Sequence, residues 1–336
     1  MCAATSDRST TPLGVTFGSL GVLGPRAVVD VAQLASAQGY RSIWTVEATG
    51  TDAFTLLGAA SAVAPDLDLA TGIIPIQIRN PTVTAMTAST LQALSPDATV
   101  WLGLGVSAPG ILRQHGETPS DRPIAMMREY VALLRECLSG ESVTFQGDFW
   151  SVSKFRLGMR IGDRVPKIVL AALNPQMLRL AGEIADGVLL NYLPSSHVRP
   201  SIDAVRSGGD ATILAYVHAA VGDLERHAQS ARKDLFNYAM ADGYAKMFAA
   251  AGFEDEVTEL RARQADKDRD GALAAISERM IQAIDFIGSA DEVTDFVAGY
   301  VDAGIDHPVL MPLPWGDDRR AVTESTMAAA IKAVRA

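Results

Sequence analysis

The chain alternates between short apolar runs and longer segments in which apolar residues recur every three or four positions. The clearest example spans residues 165–191. Residues 167–172 have the length of a buried strand, and apolar residues then follow the spacing of one helical face up to Ile184. Asn174 and Pro175 stand where a helix N-cap and a first helical residue belong. The stretch therefore predicts one strand–helix–strand unit.

The same alternation continues along the chain. The predicted strands are residues 13–17, 42–46, 68–74, 99–104, 167–172, 188–190, 211–218 and 308–311. The predicted helices are residues 25–38, 53–64, 81–94, 123–138, 175–186, 196–206 and 291–303, with a terminal helix running to residue 336. Consecutive βα units of this kind indicate an α/β protein with a (β/α)8 TIM barrel. A doubly wound open sheet is the alternative fold.

Two stretches depart from the alternation and are predicted to be insertions. Residues 143–152 have the pattern of a β-hairpin before strand five. A helical segment, residues 223–287, follows strand seven, and its charged run at residues 261–270 indicates a solvated helix or loop. Residues 1–11 are polar and are expected to form a disordered leader rather than a secretory signal. This leaves residues 12–336 as a single barrel domain.

Composition narrows the classes of partner. The net charge of −10 argues against a nucleic-acid-binding surface. Apolar runs stay shorter than the ~18 residues that a membrane helix needs, so no membrane partner is expected. The two cysteines are Cys2 and Cys137, and Cys2 lies in the predicted leader. A disulfide framework is therefore excluded, and a reducing, cytoplasmic location is expected.

The carboxyl ends of barrel strands carry the chemistry in this kind of fold. Two titratable residues stand out there, Glu47 and His218, and both are candidate catalytic residues. Glu47 is equally consistent with a surface or helix-capping role, and His218 with a histidine that is satisfied at the barrel mouth. The sequence lacks a P-loop, an HExxH motif and a His/Cys cluster, so no metal site is predicted. So few acids and bases indicate that a bound cofactor carries the reactivity.

Four segments in fixed order carry a resemblance to a known family. They are ATGIIPIQIRNP at residues 70–81, LQALSPDATVWLGLGVS at 91–107, FQGDFW at 145–150 and AALNPQMLRLAGEIADGVLLN at 171–191. Together they resemble the bacterial-luciferase-like barrel superfamily, in particular its coenzyme F420-dependent oxidoreductases, the branch that includes methylenetetrahydromethanopterin reductase. The set is less specific for the cofactor, because flavin mononucleotide (FMN) enzymes share the scaffold.

The resemblance implies which residues hold coenzyme F420. Gly72–Ile73 matches a non-prolyl cis peptide in a bulge that supports the deazaflavin ring. The end of strand four matches the segment along the ring edge, and the turn after strand five matches the segment around the phosphate. The implied cofactor-binding residues are Thr71, Gly72, Ile73, Gly105, Val106, Ser107, Ala171, Ala172, Leu173, Asn174 and Met177. A strand-end role for Gly72 and a packing role for Gly105 remain open.

The resemblance also implies a function, hydride transfer between C5 of the deazaflavin and a small organic substrate, in a homodimer. One departure matters. Several relatives carry an acid–histidine pair after strand two, whereas this chain has Glu47-Ala48. The missing histidine puts the usual proton-transfer apparatus in doubt. Two alternatives stay open, an FMN-dependent luciferase-like monooxygenase and a non-catalytic flavin- or deazaflavin-binding protein.

Overall fold

The computed structural model describes residues 8–160 and 164–335. Its strands are β1 (Gly14–Thr16), β2 (Ser42–Thr45), β3 (Asp68–Thr71), β4 (Ile74–Pro75), β5 (Val100–Gly105), β6 (Val143–Gln146), β7 (Ser151–Phe155), β8 (Lys167–Ala171), β9 (Gly187–Leu190), β10 (Thr212–Val221), β11 (Asp285–Gly288) and β12 (His307–Pro312). Eight of them, β1, β2, β3, β5, β8, β9, β10 and β12, form a closed parallel barrel with helices between the strands. The predicted (β/α)8 fold is confirmed.

Helices follow the strands as the periodicity predicts. They are α1 (Ala27–Ala37), α2 (Ala53–Ser61), α3 (Pro81–Leu94), α4 (Pro109–Gln114), α5 (Pro123–Leu138), α6 (Pro175–Ile184), α7 (Val198–Arg206), α8 (Leu224–Ala239), α9 (Asp242–Phe248), α10 (Glu254–Ala265), α11 (Arg269–Ala274), α12 (Glu278–Ile284), α13 (Ala290–Asp302) and α14 (Arg319–Ala330). Helices α3 and α5 have the predicted bounds, and each begins at a proline, whose fixed φ suits a first helical position. Helix α4 was not predicted.

Most residues of the barrel strands are buried, which explains why the strands appear in the sequence as continuous apolar runs rather than as alternating ones. Every residue of β2, β5 and β9 is buried. The predicted third strand is interrupted: β3 ends at Thr71, and β4 resumes at Ile74 to pair with β5. The interruption forms a bulge at the carboxyl end of the strand, where barrel enzymes carry their chemistry.

The predicted hairpin is present as the antiparallel pair β6–β7. Its turn is fixed by one side chain of α5, because the carboxylate of Glu129 accepts hydrogen bonds from the backbone N–H groups of Asp148, Phe149 and Trp150, each at 2.8 Å. Hydrogen bonds to a charged acceptor are stronger than neutral ones. A single glutamate thereby ties the insertion to a barrel helix.

The helical insertion differs from the prediction at its end. The prediction gives residues 223–287 as a divided helical segment with no strand, but Asp285–Gly288 is strand β11. Strand β10 runs to Val221, three residues beyond its predicted end at residue 218, and β11 pairs with that extension. The register places His218 beside Asp285. The extra strand positions supply an edge whose hydrogen-bonding groups the chain has to satisfy, and β11 satisfies them.

The described residues fall into two compact units by their internal contacts. The first unit comprises Thr16–Leu189 and Ala204–Thr212, and the second comprises residues 8–15, Leu190–Asp203 and residues 213–335. The prediction of a single domain stays a prediction. Of the predicted leader, residues 1–7 lie outside the described residues. Arg8–Thr10 is instead a 3-10 turn, and Arg8 forms an ion pair with Asp302.

Within the residues that the structure describes, none of the helices is long and apolar enough to cross a membrane.

Candidate active site

The bulge between β3 and β4 contains a cis peptide bond at Gly72–Ile73, which confirms the predicted cis bond. Two backbone hydrogen bonds attach the bulge to β2. The N–H group of Gly72 donates to the carbonyl of Thr45 at 2.7 Å, and the carbonyl of Ile73 accepts from the N–H group of Glu47 at 3.0 Å. The end of the second strand therefore fixes the backbone on both sides of the cis bond.

Strand β5 holds the bulge from the other side. The hydroxyl of Thr71 donates to the carbonyl of Gly103 at 2.9 Å and accepts from its N–H group at 2.8 Å. A Cβ atom at Gly103 would lie 1.9 Å from the carbonyl oxygen of Thr71, and one at Gly105 would lie 2.8 Å from Cδ1 of Ile73. Gly103 therefore needs to be glycine, because a side chain there would meet backbone atoms, whereas at Gly105 the side chain of Ile73 would have to shift. For Gly105 this contact is the packing role that the sequence left open.

The implied cofactor-binding residues of this region differ in exposure. Thr71, Gly72 and Gly105 are buried, whereas Ile73, Val106 and Ser107 are partly exposed. The bulge thus presents the side chain of Ile73, an apolar group, while its polar backbone is bonded to β2. A small, apolar, rigid surface of this kind suits contact with a planar ring better than contact with a charged group.

The turn between β8 and α6 holds the remaining implied residues. The side-chain oxygen of Asn174 accepts from the N–H group of Met177 at 2.9 Å, so the predicted N-cap is confirmed. The N–H groups of Leu173 and Asn174 donate to no acceptor among the described residues. Ala172 and Met177 are buried, whereas Ala171 and Leu173 are partly exposed and Asn174 is exposed. Two open N–H groups at the start of a ten-residue helix favour an anion.

Glu47 is the acidic candidate at the end of β2, and its carboxylate is fully engaged. Arg79 binds it in bidentate fashion, with Nε 2.6 Å from Oε1 and Nη2 2.7 Å from Oε2. The same Nη2 group also pairs with Asp52. The N–H group of Ala53, the first residue of α2, donates to Oε2 of Glu47 at 3.3 Å. The hydrogen bond to Glu47 raises the pKa of Arg79 further above its ordinary value.

These side chains line a cleft of about 520 Å³, together with Asn80 and His115. The ring of His115 is exposed, and its Nε2–H group donates to the carbonyl of Ala48 at 2.7 Å. The histidine that follows α4 therefore binds the backbone of Ala48, the residue that stands where the resemblance implies a histidine. Sequence reasoning missed this because residues 48 and 115 lie 67 positions apart.

His218, the other catalytic candidate, belongs to the second unit and is buried. Its Nε2–H group donates to Oδ1 of Asn191 at 2.9 Å, and its Nδ1 atom lies 3.2 Å from Oδ1 of Asp285. The ring of Tyr192 covers the imidazole, with centroids 4.0 Å apart. The hydroxyl of Tyr192 donates to Oδ2 of Asp234 at 2.7 Å. His218 is thus enclosed by side chains of its own unit.

The pKa values of this cluster are shifted because its members lie away from water. Burial lowers the pKa of His218 to about 4 and raises the pKa of Asp285 to about 8. Burial also raises the pKa of Asp234 to about 7, and the charge of Asp285 adds to this shift. His218 is therefore neutral at neutral pH, and the site resists holding two negative carboxylates at once. Asp234 and Asp285 went unnoticed in the sequence because they lie in the predicted helical insertion.

Residues 6–307 match the family model for luciferase-like monooxygenases. The chain belongs to this family. Among curated relatives, a 5,10-methylenetetrahydromethanopterin reductase of Methanolobus tindarius is 24% identical over 289 residues, covering 83% of this chain and 87% of the relative. An F420-dependent glucose-6-phosphate dehydrogenase of Nakamurella multipartita is 30% identical over 224 residues, covering 59% of this chain and 63% of the relative.

A solved structure of another protein has the same fold as this member of the luciferase-like family. It is an F420-dependent secondary alcohol dehydrogenase in complex with an F420–acetone adduct, with a TM-score of 0.76 and 21% sequence identity. The similarity covers 97% of this chain and 99% of that chain. The relatives are oxidoreductases, and this luciferase-like protein is an enzyme of that class.

Proposed function

We propose that this enzyme uses coenzyme F420 to transfer a hydride to or from a small organic substrate. The observation that carries the proposal is the combination of an apolar bulge, bound to β2 and packed against the glycines of β5, with two open N–H groups at the start of α6. The similarity to an F420-dependent dehydrogenase supports the choice of cofactor. The bound deazaflavin would supply the hydride donor or acceptor, and the chain's own residues would hold and orient it.

The residues present fit such a group. The partly exposed side chain of Ile73 provides an apolar support, and Gly105 and Val106 lie beside it on β5 and just beyond. The open N–H groups of Leu173 and Asn174 offer hydrogen bonds to an anionic end of the cofactor. The chain's contribution is therefore orientation and the exclusion of water from the reacting atoms.

The catalytic roles predicted for Glu47 and His218 remain proposals, and the geometry favours positioning in both cases. Both oxygens of Glu47 bind Arg79, so we propose that Glu47 orients Arg79 at the wall of the cleft. His218 holds Asn191 through its Nε2–H group and is enclosed. We propose the cleft beside Glu47 as the substrate site, because its volume of about 520 Å³ lies in the range of small-molecule pockets.

Titration of the purified protein with coenzyme F420 and with FMN tests the cofactor. We expect F420 to bind at least ~10-fold more tightly, a difference of about 1.4 kcal/mol. Isothermal titration calorimetry measures both affinities under one set of conditions. Tighter binding of FMN would contradict the proposal and favour the monooxygenase, and binding of F420 without turnover of any substrate would favour the non-catalytic binding protein.

A pair of variants at Asn174 tests the anion site. Asp and Ser both cap helices well, so Asn174→Asp and Asn174→Ser should each keep the bond to the N–H group of Met177. Only Asp adds a negative charge beside the open N–H groups. We expect Asn174→Asp to weaken F420 binding about tenfold and Asn174→Ser to leave it nearly unchanged. Equal affinities of the two variants at low ionic strength would place the anionic group elsewhere.

The homodimer implied by the resemblance remains a proposal. Size-exclusion chromatography with light scattering of the purified protein measures the mass of the particle directly, and the mass of a single chain would contradict it.

A further inference from the structure

Three side chains of the second unit bring metal-binding atoms together. His218 lies on β10, Asp285 begins β11 beside it in register, and Asp234 projects from α8. One ligand atom from each of the three lies within 4.8 Å of the other two. His218 and Asp285 are buried, and Asp234 is partly exposed. Strand pairing therefore places an imidazole and a carboxylate side by side, and a helix adds a second carboxylate with access to solvent.

The hydrogen bond at Nε2 of His218 decides which ring nitrogen of the neutral imidazole carries the proton. Because Nε2–H donates to Asn191, a neutral His218 has its lone pair on Nδ1. The amide group of Asn191 is oriented in turn, since its Nδ2 donates to the hydroxyl of Tyr244 at 3.3 Å. The Nδ1 lone pair consequently faces the carboxylate of Asp285. Two electron-rich atoms at 3.2 Å need a positive group between them.

The atoms are close but are not aligned with one another. Nδ1 of His218 and both carboxylate oxygens of Asp285 are buried and form no hydrogen bond of acceptable geometry with a described N–H or O–H donor. A proton shared by Nδ1 and Oδ1 would require a nearly linear arrangement. Two such atoms that lie 3.2 Å apart without a hydrogen bond between them are instead expected when both face a third atom, such as a metal ion. Ligands on one zinc ion, each about 2.1 Å from it, lie roughly 3.4 Å apart in tetrahedral geometry.

The charges point to the same kind of ligand. Within the described part of the chain, no lysine or arginine forms an ion pair with Asp234 or Asp285. The buried carboxylate of Asp285 and the partly exposed one of Asp234 are unfavourable side by side without a counter-charge. One divalent cation would neutralise both. The surroundings also match a metal site, because the far nitrogen of the histidine and one oxygen of Asp234 are held by Asn191 and Tyr192.

We propose that His218, Asp234 and Asp285 bind one divalent transition-metal cation, with Zn²⁺ as the first candidate. The ligands are Nδ1 of His218 and one carboxylate oxygen from each aspartate, a donor set that Zn²⁺ accepts. A fourth ligand would have to come from solvent or another group, since the cluster supplies three. The ion links the end of β10 to β11 and α8, so its role is structural. It is independent of the hydride transfer proposed above.

The wild-type protein provides the main test and needs no variant. The protein is expressed without a metal-affinity tag in medium containing Zn²⁺, Mn²⁺ and Co²⁺, and its metals are measured by plasma mass spectrometry. We expect about one equivalent of a single divalent metal per chain. Removal of the metal with a chelator should lower the unfolding midpoint by about 4 °C, and re-addition of Zn²⁺ should restore it.

Variants assign the metal to its ligands. His218→Gln and Asp285→Asn should each reduce the bound metal at least tenfold, whereas Asp210→Asn, at a carboxylate whose side chain is 97% exposed, should retain it. Less than about 0.1 equivalent of metal in the wild-type protein, with an unfolding midpoint that Zn²⁺, Mn²⁺ and Co²⁺ leave unchanged, would overturn the proposal. Retention of one equivalent by both ligand variants would overturn it as well.

Discussion

The two charged clusters of this protein are built in opposite ways. In the first unit, Glu47 and Asp52 share Arg79, so each carboxylate has a cation beside it, next to an open cleft. In the second unit, Asp234 and Asp285 lie with His218 in a mostly buried site, where no lysine or arginine of the described residues pairs with them. A paired cluster is complete by itself, whereas an unpaired buried one calls for a ligand.

The comparison separates two tasks that charged residues perform. Arg79 donates its hydrogen bonds to Glu47 and Asp52. It thereby fixes the loop after β4 against the end of β2, beside the bulge. In the second cluster only some polar atoms have partners: Asn191 binds Nε2 of His218, and Tyr192 binds Oδ2 of Asp234. Substitutions in the two clusters should therefore change the free energy of unfolding by different amounts and in opposite directions.

Loss of the shared cation should have the largest effect. Arg79→Met leaves Glu47, whose side chain is 10% exposed, without its partner. We expect the free energy of unfolding to fall by about 3 kcal/mol, because an uncompensated charge remains away from water. Urea unfolding followed by circular dichroism measures this.

The double variant Glu47→Gln/Arg79→Met is the control, since it removes the uncompensated charge as well. It should recover at least half of the loss. A single variant that loses less than about 0.5 kcal/mol would show that solvent screens the first cluster as it screens a surface pair, and the contrast between the clusters would fail.

Close packing around the bulge should give the next largest effect. Gly105→Ala places a Cβ atom 2.8 Å from Cδ1 of Ile73, so the side chain of Ile73 has to leave its place on the bulge. We expect a loss of about 2 kcal/mol in unfolding free energy and weaker binding of F420. Ile73→Val removes the Cδ1 atom and should restore part of both losses in the double variant. Gly58→Ala, at a helical glycine with no atom within 4 Å of the added Cβ, should be neutral or stabilising.

The sequence predicts those features that depend on neighbouring residues, and it does not predict those that depend on residues far apart in the chain. Strand and helix positions follow from local periodicity, and the N-cap at Asn174 follows from a neighbouring proline. The cis bond at Gly72–Ile73 came from resemblance to a family rather than from periodicity. Local pattern could not show that β10 extends to Val221 and so recruits Asp285 as a strand residue.

Side-chain partnerships across long separations were also beyond the sequence. Arg79 stood in a segment quoted for its resemblance, yet its pairing with Glu47 joins residues 32 positions apart. Asp234 and Asp285 had the appearance of ordinary charged positions in a helical insertion. Their burial depends on how α8 and β11 pack, which a single sequence does not encode in any local pattern.

The same acid-to-amide change should act in opposite directions in the two clusters. In protein stripped of metal and held at pH 9, above the raised pKa of Asp285 of about 8, Asp285→Asn removes a buried charge without a counter-charge, and we expect a gain of about 1 kcal/mol in unfolding free energy. Glu47→Gln removes a charge that binds Arg79, and we expect a loss of about 1 kcal/mol. Urea unfolding in the presence of a chelator compares both variants with the wild type. Changes of the same sign would show that the clusters do not differ in charge balance.

The smallest change in stability is expected for a substitution of His115. This variant tests whether the open cleft takes part in the reaction. The ring is exposed and makes one hydrogen bond, to the carbonyl of Ala48, so His115→Ala should change the unfolding free energy by less than about 0.5 kcal/mol. Because the ring lines the cleft rather than the bulge, F420 affinity should stay the same.

Turnover should respond instead, since His115 lines the proposed substrate cleft and is the histidine bound to Ala48 beside Glu47. We expect kcat to fall at least ~10-fold in His115→Ala. His115→Gln keeps a side-chain N–H donor for Ala48 but cannot carry a proton, so it separates the two roles of the ring. Loss of turnover in both variants indicates proton transfer, and rescue by Gln indicates positioning of the loop. Full turnover in His115→Ala, measured with a substrate that the wild type reduces or oxidises, would remove the histidine from the reaction and leave the cleft to bind substrate through Arg79 and its neighbours.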